Sequence, residues 1–268
     1  MAAMAIKLIA MDLDGTLLNS DKLISPGNLQ ALEKARNKGV AVTIATGRMF
    51  LSAEYFGRQI EANAPIVCCN GGMVQSMGER EPVFVRLFPQ ETVRELLTLC
   101  HERGWYAQWY IGNEIYAEEF RPEYFYAYRT VKDFKIREVG KDFLNYTQKV
   151  IQCVVRDKDG RIPEIVAEIA PRFAGRIDPQ QNTGFSVDLT PPGVDKALGI
   201  EALMKHLGLT REEVMVCGDA DNDLAMLRFA GTSVVMANGL PQAKELATYL
   251  TASNDEDGIA KAIEDLVL

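Results

Sequence analysis

Positive charge is in short supply in this chain: 29 Lys and Arg stand against 37 Asp and Glu over 268 residues, a net charge of −8. That balance argues against non-specific binding to nucleic acid or to an anionic membrane surface, both of which need a positive face. It leaves a phosphate-bearing substrate open, because a metal and a few local cations dominate a small site. Histidine is scarcer still, with His101 and His206 only. Both fall late in helical patterns, where a cation suits the helix dipole, and this argues against a His-based triad or a phosphohistidine. The five cysteines are odd in number and have no metal-type spacing. A bond between the adjacent Cys68 and Cys69 would be strained, so the expectation is buried thiols in a reducing cytosol. No apolar run approaches the roughly 20 residues of a membrane span. The first residues also lack the basic, apolar and cleavage-site order of a signal peptide. A cytoplasmic protein with no membrane partner is expected, and no repeat or low-complexity tract complicates the reading.

What is present is an ordinary globular composition, 47% hydrophobic and 25% charged, in a chain long enough for one large or two ordinary domains. Apolar runs at 6–11, 40–45, 65–69, 213–217 and 232–236 alternate with helical patterns, which predicts parallel strands in a doubly wound layer. Ser25-Pro26 opens the first helix with a cap and a first-turn proline, and Gly39 closes it. After Asn70-Gly71-Gly72 the character changes. Strand-like runs at 83–88, 105–111 and 114–118 carry Tyr and Trp, a helix is expected at 91–102, and further signals at 149–155, 161–170 and 184–189 complete a second α/β unit. The expected fold is an α/β, doubly wound, Rossmann-like core at 1–82 and 189–268 with an α/β domain inserted at 83–188. The aromatics Trp105, Tyr106, Trp109, Tyr110 and those from Tyr124 to Tyr128 could bind a sugar, but aromatics in strands mainly pack a sheet against helices, and that reading is preferred.

The run Ile6–Leu18 is the most informative stretch. An apolar strand ends in Asp12 and Asp14, two residues apart, followed at once by Gly15. Buried strands have no use for carboxylates, so both acids belong at the carboxyl end, where open α/β sheets place their sites. Side chains alternate with period two, so both can address one cavity. Two carboxylates there repel unless a cation or a shared proton intervenes, and the pair asks for a divalent metal. An Asx turn or a calcium loop would also present D-x-D-G.

Three more strand ends carry polar residues. Val40–Ala45 leads into Thr46-Gly47-Arg48, where Thr46 supplies a hydroxyl donor and Gly47 lets backbone amides approach an anion. Lys196 follows Pro192-Gly193-Val194-Asp195 at the start of a helical pattern, a poor place for a cation beside the helix dipole; alone it reads as a solvated surface lysine. Glu213–Cys217 leads into Gly218-Asp219-Ala220-Asp221-Asn222-Asp223. Helix capping explains one of those acids well and three badly.

In order and spacing these four pieces resemble the motifs of the haloacid dehalogenase-like phosphohydrolases, and Met236–Gly239 with Asn254–Gly258 is similar to the Cof-type branch. The resemblance covers most of the chain and implies a Mg²⁺-dependent phosphatase acting on small phosphorylated metabolites, sugar phosphates among them. It implies Asp12 as nucleophile, Asp14 as general acid and base, and Thr46 and Lys196 as further catalytic groups. The phosphate cradle would be Leu13 and Gly47 (backbone), Thr46, Lys196 and Asn222. The metal would lie among Asp12, Asp14 (through its carbonyl), Asp219 and Asp223, the last direct or outer-shell. A variable position, Asp221, is left out. Asp14 must be protonated when the alcohol leaves, so a pKa raised by its acidic neighbours is expected. The insert would be a large cap that covers the site and selects the substrate. A phosphomutase with the same aspartyl-phosphate and a non-catalytic phosphate- or metabolite-sensing protein are the alternatives.

Overall fold

Leu8–Met11 is apolar at every position and wholly buried, and a strand buried on both faces belongs inside a parallel sheet. The computed structural model describes residues 5–124 and 136–268, and this strand, β1, lies inside such a sheet with a neighbour on each side. After it come α1 (Pro26–Asn37), β2 (Ala41–Ile44), α2 (Phe50–Gln59) and the short strands β3 (Ile66–Cys68), β4 (Met73–Gln75) and β5 (Phe84–Val85). The middle of the chain forms α3 (Gln90–Arg103), β6 (Tyr106–Ile111), β7 (Glu114–Ala117), β8 (Ile136–Glu138), β9 (Val150–Arg156), α4 (Ile162–Arg172), β10 (Asp178–Thr183) and β11 (Ser186–Thr190). The last part forms α5 (Lys196–Leu207), β12 (Val214–Gly218), α6 (Leu224–Phe229), β13 (Thr232–Val235), α7 (Pro241–Lys244), β14 (Tyr249–Leu250) and α8 (Gly258–Leu266).

These elements form two compact units, one of Met1–Arg48, Ala53–Phe84 and Asp195–Leu268, the other of Met49–Ser52 and Val85–Val194. The second runs past residue 188, the limit expected from sequence, because β11 pairs antiparallel with β9 and β10 along its length.

The first unit has a five-stranded parallel sheet in the order β14-β13-β12-β1-β2. β1 lies between β12 and β2, with Met11 level with Cys217 and Ile44, so three strands end at one height. Ser25 caps α1 by accepting from the Asn28 amide at 3.1 Å, and the Ala260 amide donates to the Asn28 side chain at 2.9 Å, tying α8 to α1. The expected strand at 65–69 departs from the plan. It meets the main sheet through one parallel bridge, Ala45 to Val67, and otherwise pairs antiparallel with β4 in a separate three-stranded sheet. The cause is the turn through Asn70 and Gly71, both at positive φ, which folds the chain back at once.

The second unit has a six-stranded sheet in the order β10-β11-β9-β6-β7-β8, antiparallel except for β7 with β8. Side chains of α3 and α4 form one core with Trp109, Cys153, Val187 and Leu189 of the sheet. Trp109, Tyr110 and Tyr106 are buried and Trp105 packs against that core, as the packing reading of these aromatics requires; residues 125–128 lie outside the described residues. All five cysteines are free and buried. Among the described residues, no helix is long and apolar enough to cross a membrane.

Candidate active site

The site residues lie in the first unit, at the carboxyl ends of β1, β2, β3 and β12 and the start of α5. The amide of Asp12 still belongs to the sheet, donating to the Cys217 carbonyl at 3.0 Å. Just beyond, the chain tightens: the Thr16 and Leu18 amides both donate to the Leu13 carbonyl and the Leu17 amide to that of Asp12. Gly15 permits this turn with φ +86°, and a Cβ there would strike the Asp219 carboxylate. Thr16 Oγ1 donates to Asp219 Oδ1 at 2.6 Å, so the turn after β1 grips the loop after β12.

Lys196 is fully buried, and its Nζ lies 2.6 Å from Asp12 Oδ1 and 2.6 Å from Asp223 Oδ1. The reading of a solvated surface lysine is therefore wrong. Two glycines explain the placement: a Cβ on Gly71 would collide with the Asp195 carbonyl and one on Gly199 with Val67, so the first turn of α5 sits hard against the β3–β4 turn. Asp195 caps that turn, accepting from the Leu198 amide at 2.9 Å.

The acidic run after β12 divides its labour. Asp223 is fully buried and fully engaged: Oδ2 accepts from the Asp219 and Ala220 amides at 2.9 and 3.0 Å while Oδ1 takes Lys196. Asp221 is exposed. Carboxylate oxygens of Asp12, Asp219 and Asp223 lie within 4.8 Å of one another. The Asp14 carboxylate is not in this group; only its backbone remains for the metal role.

Three buried or half-buried acids around one ammonium leave negative charge in excess. Burial pushes the Asp12 carboxyl up to about 8; Lys196 opposes this, while Asp223, Asp219 and Asp14 add to it. Asp219 is raised to about 6, chiefly by burial, against the Thr16 hydrogen bond. Burial works against the Lys196 ammonium, but Asp12 and Asp223 hold it above the usual lysine range. An all-oxygen donor set with an excess of negative charge fits a hard divalent cation such as Mg²⁺.

Asp14 reverses the sequence expectation of a raised pKa. Arg48 Nε and Nη2 donate to its two oxygens at 2.8 Å each and Lys22 Nζ adds a third contact at 2.9 Å. Burial works to raise the carboxyl, yet the Arg48 hydrogen bonds and charge, with Lys22, hold it down at about 2. The nearest charges are cations, not the acids on which the expectation rested.

At the end of β2, Thr46 is buried and its Oγ1 accepts from the Arg48 amide at 3.3 Å. Asn70 packs over Gly47 so closely that a Cβ on Gly47 would lie 2.8 Å from Asn70 Oδ1. Asn222 Nδ2 reaches the same oxygen at 3.4 Å, joining the loops after β3 and β12. Asp12, Leu13, Thr46, Gly47, Lys196, Asp219, Asn222 and Asp223 are thus linked through neighbouring strand ends, with Asp14 at their edge. Sequence reasoning passed over Thr16, Arg48 and Asn70. Arg48 follows Thr46-Gly47 directly, and a charge after a buried strand was the available signal; Asn70 was read only as a turn residue.

A Rossmann-like core gathers carboxylates and a buried lysine at its strand ends. The chain belongs to the haloacid dehalogenase-like hydrolases, whose family model matches residues 9–263, and it is a phosphoric monoester hydrolase. It is 30% identical over 267 residues to a 5-amino-6-(5-phospho-D-ribitylamino)uracil phosphatase of Bacillus subtilis, covering 96% of this chain and 96% of that protein. A haloacid dehalogenase-like hydrolase of Bacteroides thetaiotaomicron shares 32% identity and superposes with a TM-score of 0.87, covering 97% of this chain and 99% of that one. A haloacid dehalogenase subclass IIB sugar phosphatase shares 26% identity at a TM-score of 0.81, covering 97% and 98%.

Proposed function

We propose that this protein is a Mg²⁺-dependent phosphatase that hydrolyses small phosphorylated metabolites, sugar or polyol phosphates above all, through an aspartyl-phosphate on Asp12. The observation that carries the reading is Lys196, buried between Asp12 and Asp223. Burying an ammonium costs several kcal/mol before any partner is found, and a surface lysine has no reason to bear it. Placed here it opposes the burial that raises the Asp12 carboxyl and offers a positive charge beside the attacked phosphoryl group.

Asp12 attacks phosphorus with one carboxylate oxygen, and the bond to the ester oxygen breaks. The departing alkoxide takes a proton from Asp14. Water then attacks the phosphorus of the acyl-phosphate while Asp14 accepts its proton, and release of inorganic phosphate restores the Asp12 carboxylate. Thr46, Lys196, Asn222 and the amides of Leu13 and Gly47 hold the phosphoryl oxygens. Asp14 begins as an ion pair with Arg48 and Lys22, so it must leave that pair before it carries a proton at neutral pH. When bound, Mg²⁺ would be held by Asp12, Asp219 and the Asp14 carbonyl, with Asp223 behind, and would supply charge to offset that of the phosphoryl oxygens. The second unit is the cap that selects among substrates. The preference for a hydroxyl-rich leaving group follows the relatives named above, one a phosphatase of a ribityl phosphate and one a sugar phosphatase. Five reduced, buried cysteines support a cytoplasmic site of action.

Phosphate release from p-nitrophenyl phosphate and from a panel of sugar and polyol phosphates tests this reading. Turnover should cease on exhaustive chelation, return with Mg²⁺ and be inhibited by Ca²⁺, whose longer bonds and higher coordination number suit in-line geometry poorly. Full activity after chelation, or none on any monoester, would overturn it.

A further inference from the structure

Asn238 and Asn254 have no part in the chemistry above, yet their side chains converge on the turn that leaves β1. Asn238 Nδ2 donates to the Gly15 carbonyl at 2.8 Å, and its Oδ1 accepts from the Asn254 amide at 3.0 Å. Asn254, itself buried, donates from Nδ2 to the Leu18 carbonyl at 2.9 Å. The two asparagines therefore form a continuous brace from Gly15 to Leu18, across the turn that carries Thr16. The same segment touches the loop after β12 directly, because the Leu240 amide donates to the Asp219 carbonyl at 2.8 Å. A third tie lies outside it, where Ser20 gives its amide and hydroxyl to Asp255 at 2.8 and 2.7 Å.

We infer that Asn238 and Asn254 are positioning residues for the metal ligand Asp219, acting through the Gly15–Leu18 turn and the Thr16 hydroxyl. The inference rests on the proposal that Asp219 holds Mg²⁺. Gly15 at φ +86° leaves the turn without side-chain packing at its sharpest point, and glycine has more backbone freedom to lose than any other residue. Peptide carbonyls with no sheet partner would let this turn relax. Two side-chain amides, each using a donor on one carbonyl, pin it at both ends. Thr16 stands between the pinned points, and its hydroxyl at 2.6 Å orients Asp219. Groups that orient a metal ligand typically set metal affinity by 10- to 100-fold.

The test is Mg²⁺ binding to the full-length protein by isothermal calorimetry, without substrate, for wild type, Asn254→Ala, Asn238→Ala, Thr16→Val and Asn254→Ala with Thr16→Val. Asn254→Ala and Thr16→Val should each weaken Mg²⁺ by about tenfold or more. The double variant should be no weaker than the worse single one, because both changes act through one hydroxyl. Asn238→Ala should weaken binding in the same direction, and because that side chain is exposed it decides the matter if Asn254→Ala fails to fold. Wild-type affinity in a folded Asn254→Ala or, failing that variant, in Asn238→Ala would overturn the inference, as would fully additive losses in the double variant. Absence of Mg²⁺ binding by wild type would instead overturn the functional reading beneath it.

Discussion

Arg48 closes a two-point fork on Asp14, with Nε and Nη2 each 2.8 Å from a different carboxylate oxygen. A bidentate guanidinium–carboxylate pair is among the stronger charge-assisted contacts a protein makes. Here it decides the ionisation of the residue assigned to proton transfer.

The pH dependence of stability should report this fork. Asp14 is held at about 2 in the folded protein against an ordinary value of 3.8. A depressed folded pKa gives stability that is present above the ordinary value and is lost as pH falls from about 3.8 towards 2. Urea midpoints measured between pH 5 and pH 2 should therefore fall less steeply for Arg48→Gln than for wild type. Equal slopes would show that the fork does not set the ionisation of Asp14.

Asp12→Asn should lose at least ~10³-fold in kcat, the scale on which removal of a nucleophile registers. Folding should survive, because Lys196 keeps Asp223 as partner and the change removes a buried carboxyl that burial disfavours when charged. A thermal melt beside the assay separates the two effects. More than a tenth of wild-type kcat at saturating substrate and Mg²⁺ would remove Asp12 from the nucleophile role.

Lys196→Met should destabilise the protein by about 3–5 kcal/mol, since it strands Asp12 and Asp223 as buried carboxylates without their cation. Adding Asp223→Asn should restore part of the loss despite being a second core substitution. Urea unfolding of the single and double variants measures both. A single variant as stable as wild type would mean that the ammonium does not hold the acids together.

Replacing the inserted segment from Val85 to Val194 with a short Gly/Ser linker should flatten substrate preference. Activity on p-nitrophenyl phosphate should fall less than activity on the best sugar or polyol phosphate, because the aryl ester offers little beyond phosphate to recognise. The quantity to compare is the ratio of kcat/KM for the two substrates. If a folded linker variant keeps the wild-type ratio, selection resides in the first unit.

Strand ends and their chemistry were legible in the sequence because each signal is local. The four consecutive apolar residues Leu8–Met11, closed by Asp12 and Asp14, announce a buried strand and its carboxyl end whatever surrounds them, and Gly218–Asp223 announces a second one likewise. Helix–strand alternation then predicts parallel strands, while the place of β1 between β2 and β12 is seen only in the folded sheet. Lys196 was less plain, since by local rules it is a cation at the wrong end of a helix; only the approach of Gly199 and Gly71, 128 positions apart in the chain, turns it inward. Arg48 on Asp14, Asn70 on Asn222 and Asn254 on the turn after β1 join residues separated by 34, 152 and 236 positions. No periodicity or motif spacing encodes such contacts, because they depend on how loops from different strand ends pack together. The charge on Asp14 shows the consequence: the sequence places acids near it, and the tertiary structure brings two cations nearer. Composition and local pattern determined which groups this protein carries to its site; their partners, and so their ionisation, were decided by packing.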